Sequence, residues 1–113
     1  MKTESSMFFN FNELTTKKVW KGELNKLFST PNLTLMRFSA KKGYKFEDKG
    51  HKSEQILILL KGKFKLYVGN KERIVEEMGV MYIAPWEKHG GEALTDVEGF
   101  DIFHPKRKEE KYS

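Results

Sequence analysis

The sequence predicts an all-β protein, a small antiparallel β-barrel, and three observations carry that expectation. Short runs of β-branched and aromatic residues recur with Gly, Asn or Pro between them. No long segment shows the 3.6-residue periodicity of an amphipathic helix, so no helix is at hand to cover a parallel sheet. In residues 55–68 an apolar run at 56–60 meets a turn at Lys61 and Gly62 and then strict alternation. Phe64, Leu66 and Val68 share one face there, and Lys63, Lys65 and Tyr67 the other.

Residues 7–11 and 18–24 are the weakest strand candidates. Phe8, Phe9 and Phe11 are too apolar for a free tail, so these segments add strands at one end of the barrel or cross to a second subunit. Residues 33–40 form the first strong strand, followed by the hairpin at 56–68. Gly69 and Asn70 tolerate the positive φ of a tight turn, which returns the chain as a strand at 72–75. Residues 80–84 and 99–103 complete the set. Closely spaced strands joined by turns favour a sandwich or closed barrel. An open sheet edge invites aggregation, and closure or pairing into a homodimer is the expected remedy.

At 113 residues the chain is expected to be one domain, residues 1–113. Its motif-bearing core spans about 33–104, with N-terminal strands in 1–32 and a charged tail at 105–113. The absence of cysteine excludes a disulfide framework, a thiolate metal site and a cysteine nucleophile. Neither a signal-peptide pattern nor an apolar run of about 18 residues is present, so a soluble, cytoplasmic protein without a membrane partner is expected. The net charge of +5 comes from Lys and Arg interleaved with Asp and Glu along the chain. That spread gives no stripe for nucleic acid.

Three histidines exist, His51, His89 and His104, and the first two stand beside turns between expected strands, where barrel ligands bind. Gly43, Lys49, His51, Gln55 and Gly62 fall on the spacing of the first cupin motif: a glycine, two histidines one residue apart, a glutamate or glutamine, and a closing glycine. Gly79, Pro85 and His89 resemble the second. The resemblance implies a cupin barrel with a divalent metal (zinc, nickel, iron or copper) on His51, Gln55 and His89.

The chain departs from the motifs twice. His89 arrives one residue early after Pro85, and Lys49 stands where the family has its first histidine. Two unit charges about 4 Å apart repel by roughly 4 kcal/mol at an effective dielectric of 20, and a divalent ion doubles this. An inward ammonium and a tightly held metal therefore exclude each other. Three arrangements stay open: Lys49 turns outward, Asp48 or Glu54 lends a carboxylate, or the ammonium replaces the ion and binds an anion directly.

Near the C-terminus Gly99, Phe100, Asp101, Ile102, Phe103, His104, Pro105 and Arg107 resemble the end of the KdgF-type cupins, which convert cyclic unsaturated uronates to linear keto-uronates. The resemblance implicates Asp101 in catalysis and Phe103 in substrate contact. Alternation puts Gly99, Asp101 and Phe103 on one face and Phe100 and Ile102 on the other, and either face can be the inner one. Arg37, alone in an apolar strand, is a candidate for a substrate carboxylate, and Tyr82 and Trp86 for stacking on a sugar.

The expected function is binding of a sugar acid or similar small carboxylate, an anionic ligand. Ring opening or tautomerisation would follow, with a metal or Lys49 as electrophile and Asp101 moving the proton. The alternative is a non-enzymatic, metal-degenerate cupin acting as a small-ligand binder or dimeric scaffold.

Overall fold

The computed structural model describes residues 5–20 and 23–108. The end of the expected charged tail, residues 109–113, lies outside them. The strands run in chain order as β1 (Lys17–Trp20), β2 (Glu23–Ser29), β3 (Thr34–Ala40), β4 (Lys45–Asp48), β5 (Glu54–Lys61), β6 (Phe64–Val68), β7 (Lys71–Val75), β8 (Val80–Ile83), β9 (His89–Ala93) and β10 (Val97–His104). No described helix is long and apolar enough to cross a membrane.

Alternation in the sequence sets the inner face. In β3 the buried positions are Thr34, Met36, Phe38 and Ala40, and in β10 they are Val97, Gly99, Asp101 and Phe103. The strands form two antiparallel sheets, one in the order β1-β2-β3-β10-β5-β8, the other β4-β9-β6-β7. They share one core: Leu27, Met36, Leu57, Leu59 and Ile83 of the larger sheet meet Phe64, Leu66 and Ala93 of the smaller. Phe38 and Phe64 touch across the gap with ring centroids 6.3 Å apart. The expected barrel is thus a jelly roll of two facing sheets, not closed into one.

The strands expected at 33–40, 56–60, 64–68, 72–75, 80–84 and 99–103 are present with ends shifted by a few residues. Residues 7–11 are not a strand. A short 3₁₀ turn at Phe11–Glu13 is capped by Asn10, whose Oδ1 accepts the Asn12 N–H at 2.8 Å. Phe9 stacks on Phe28 at 4.2 Å and Phe11 packs against Phe100 at 5.5 Å. Phe9 and Phe11 therefore cover the outer face of β2 and β10, while Phe8 stays exposed.

One glycine keeps β10 in place. At Gly99 the register against β5 shifts, and a Cβ there would lie 2.4 Å from the Ile58 carbonyl oxygen and 2.7 Å from the Phe38 ring. Neither neighbour has room to yield, since one is backbone and the other a core ring. Gly99→Ala is expected to cost roughly 2 kcal/mol by overpacking, read as a lower urea midpoint with unchanged slope. A midpoint within error of wild type would show that β10 is not held this tightly.

Candidate functional site

The open end of the sandwich holds a cavity of about 410 Å³, within the roughly 300–1,000 Å³ typical of small-molecule sites. Leu57, Phe64, Met36 and Phe38 supply apolar wall. The polar groups are Glu23, Tyr44, Glu47, Asp48, His51, Gln55, His89, Asp101 and Arg107.

Each of these is placed by a nameable local feature. β4 alternates so that Phe46 and Asp48 turn inward while Lys45 stays exposed. Gly50 then takes φ +116°, open only to glycine at low cost. A Cβ at Gly50 would sit 2.4 Å from the Trp86 carbonyl oxygen, so the turn after β4 is pressed against the turn after β8. The Trp86 N–H donates to the His51 carbonyl at 2.7 Å and locks the two turns together. Register pairing of Asp48 with His89 brings the second turn's histidine beside the first turn's carboxylate.

Both imidazoles are aimed by backbone. His51 Nδ1 lies 2.7 Å from the Ser53 carbonyl oxygen and His89 Nδ1 lies 3.0 Å from that of Glu87. A carbonyl only accepts, so each Nδ1 carries the hydrogen and each Nε2 keeps its lone pair. The two rings stand 5.0 Å apart, nearly perpendicular. One ligand atom each from Asp48, His51 and His89 falls within a 4.8 Å cluster. Burial, then the Arg107 charge, lowers the His51 pKa, which favours the neutral ligand form.

Gln55 links this cluster to β10. Its Nε2 donates to Asp101 Oδ1 at 2.7 Å, and its Oε1 faces His51 Nε2 at 3.0 Å. Oε1 and a neutral Nε2 are both acceptors. Lone pair faces lone pair, an arrangement relieved by a cation bound to both. Two imidazole nitrogens, a carboxylate and an amide oxygen form a donor set suited to zinc, nickel, iron or copper, so the residues present fit the ion the motifs imply.

Asp101 is fully buried, and desolvation pushes its carboxyl up to about 8 against the opposing effect of the Gln55 bond. Phe103 lies two residues on along the same inner face, its ring 5.8 Å from that of His51. After β10 the chain folds back: Ser53 Oγ donates to the Pro105 carbonyl at 2.6 Å and the Arg107 N–H donates to Thr34 Oγ1 at 2.9 Å. These anchors set the Arg107 guanidinium 5.2 Å from the centroid of Phe103, at the cavity wall.

The structure therefore brings His51, Gln55, His89, Asp101 and Phe103 together and leaves four expected residues elsewhere, Lys49, Arg37, Tyr82 and the exposed Trp86. Lys49 is exposed because the β4 alternation turns position 48 inward and position 49 out; Asp48 takes the inward place. Arg37 lies on the outer face of β3, where it bonds Glu98 Oε1 at 2.8 Å and covers Phe100. Tyr82 is on the outer face of β8, half exposed, and donates to Glu54 at 3.0 Å. Glu54 is thereby turned away from the cavity. His104 is also outside it, 3.6 Å from Glu54.

Sequence reasoning passed over Glu23 and Tyr44. Tyr44 Oη donates to Glu23 Oε2 at 3.0 Å, and both line the cavity. Burial raises the Glu23 carboxyl to about 7 despite that bond and drives the Tyr44 phenol above its ordinary value. In the unfolded chain Glu23 releases its proton near 4.5. Between these values the fold holds more protons than the unfolded chain, so stability falls as pH rises, by about 3 kcal/mol at most. Asp101 acts in the same direction. Urea midpoints of chelator-treated protein are expected to drop from pH 4.5 to pH 7, with a shallower drop in Glu23→Gln; equal slopes would contradict the burial of this carboxyl.

No family model matches the sequence, and no curated protein matches it. Solved structures do. KdgF from Halomonas sp. superposes with a TM-score of 0.85 at 22% identity, over 94% of this chain and 99% of that one. An RmlC-like cupin from Shewanella frigidimarina gives a TM-score of 0.86 at 18% identity, over 94% and 96%. Ectoine synthase from P. lautus gives 0.81 at 13% identity, over 91% and 80%. With two facing antiparallel sheets and near full-length superposition on such structures, this chain is a small protein of the cupin fold.

Proposed function

We propose that this protein binds a cyclic unsaturated sugar acid in its cavity and converts it by proton transfer to the linear keto acid. The observation that carries the reading is the arrangement around Asp101. A fully buried carboxyl, held by Gln55, shares one cavity with the Arg107 cation and the face of Phe103. An anion, a flat ring and a movable proton are what those three groups would accept. The full-length superposition on KdgF from Halomonas sp. supports the same reading.

A divalent ion on Asp48, His51, His89 and Gln55 would supply polarisation of a substrate oxygen. The other roles fall to side chains. Arg107 pairs its planar guanidinium with the substrate carboxylate, a geometry that suits two parallel hydrogen bonds. Phe103 packs against the sugar ring and, with Leu57 and Phe64, keeps water from the apolar wall. Asp101 is protonated near neutrality and in contact with the cavity, so it delivers a proton to the carbon that becomes saturated.

Metal content tests the ligand set. Elemental analysis of the purified protein is expected to find a near-stoichiometric divalent metal. Asp48→Ala should lose it to chelator at least 10-fold more readily, on the scale of 10–100-fold effects seen when metal-site partners are removed. Lys49→Ala should retain it as wild type does. A metal-free wild type would mean that the Gln55 amide is turned over, donating to His51 and accepting from a protonated Asp101, and that any ligand is bound without an ion.

Turnover tests the reaction. Loss of ultraviolet absorbance of an unsaturated uronate should follow addition of the wild type. Asp101→Asn should lower kcat at least ~100-fold while metal content and melting temperature hold. An inactive wild type would reject the uronate reading.

A further inference from the structure

Linearising a cyclic unsaturated uronate moves a proton from oxygen to carbon. The hydroxyl on the hemiacetal carbon loses its proton and its C–O bond becomes C=O. The bond from that carbon to the ring oxygen breaks, its electron pair passing to the ring oxygen. That oxygen in turn forms a carbonyl as the adjacent double bond takes up a proton at its far carbon. One group must receive the hydroxyl proton and one must give a proton to carbon. Asp101 is the donor in the reading above, which leaves the acceptor to be found.

Outside the cluster of candidate metal ligands, Glu47 is exposed and paired with Lys88 at 3.2 Å, which leaves Glu23 as the second carboxyl of the cavity. Glu23 enters it from β2, separated from β10 by β3. It therefore stands on the same sheet as Asp101, two strands away. Among the described residues no Lys, Arg or His is paired with it. Its partner is Tyr44, which comes from the loop between β3 and β4 and donates to Oε2. That donated bond favours the anionic form of the carboxyl, as a base requires. The Tyr44 ring is itself held in place, stacked on Phe46 at 6.0 Å. A carboxylate placed here for structure alone would be a poor choice, since burial without a cation is costly.

We propose that Glu23, positioned by Tyr44, is the catalytic base that takes the hydroxyl proton, with Asp101 returning a proton to carbon. The assignment rests on the uronate-linearising reading. Atoms balance: Glu23 gains one proton, Asp101 loses one, and exchange with water restores both. The groups facing Glu23 are Tyr44 from the β3–β4 loop and Asp101 from β10. Burial lifts the Glu23 carboxyl toward neutrality, where a base is both strong and available.

The experiment is the pH profile of kcat/KM on an unsaturated uronate for wild type, Glu23→Gln and Tyr44→Phe, with melting curves to confirm folding. Wild type should lose activity below neutrality as its base is protonated. Glu23→Gln should be slowed at least ~100-fold and show no such acidic limb. Tyr44→Phe removes the bond that favours the anion, so its acidic limb should move to higher pH while its plateau stays within a few-fold of wild type. If wild type is active but Glu23→Gln retains its rate within twofold, or if the Tyr44→Phe limb does not move, Glu23 is not the base. A wild type inactive on every uronate tried overturns the assignment together with the reading beneath it, so the two failures are told apart by the wild type alone.

Discussion

The cavity depends on one hydrogen bond, from Gln55 Nε2 to Asp101 Oδ1. It spans β5 and β10, neighbouring strands of the larger sheet, and fixes the amide so that its oxygen points at His51. Acid and candidate ligands are therefore one connected unit. A buried polar chain of this kind is costly when any member lacks a partner, so the sheet register, the amide orientation and the state of the Asp101 proton constrain one another. Moving β10 by one residue would put Phe100 and Ile102 inside and expel the carboxyl.

Much of this was legible in the sequence because the relevant strands alternate cleanly. Phe64 and Leu66 against Lys63 and Lys65 mark an inner and an outer face without ambiguity, and both are buried. The pairs Gly99–Asp101–Phe103 and Phe100–Ile102 were separable, but which set faces inward was not: the apolar pair is the more obvious core. The structure resolves this by burying the outer aromatics under the N-terminal segment, with Phe11 on Phe100, a contact no local pattern announces. The histidines, Gln55 and Phe103 were found from motif spacing. Asp48 was one of several options, since composition alone does not say which of positions 48 and 49 turns in.

The elements that were missed share a physical cause. β2 carries Glu23, Asn25 and Ser29 on its inner face, three polar residues of four, so hydrophobic alternation is reversed there. β9 contains Gly90 and Gly91, which contribute no side chain to a pattern. A Cβ at Gly90 would strike the Phe46 carbonyl oxygen at 2.4 Å, which shows that the blank is needed for close strand approach. β4 is only four residues long, with three of them charged. Glu23 was hidden by the first of these effects: a carboxyl at an inner position reads, in isolation, as a residue on the outside.

Each candidate imidazole is tethered by its Nδ1 hydrogen to a carbonyl two residues away in the same turn. The rotamers are thus restrained by the turns themselves, before any ion or substrate arrives. The conformational entropy of ordering these side chains is lost when the chain folds rather than when a ligand binds. Occupancy and folding then share a reservoir of free energy. Changes that loosen either turn, far from any donor atom, would weaken binding and lower thermal resistance in parallel, and an ion entering the cavity would in turn hold the turns shut from within.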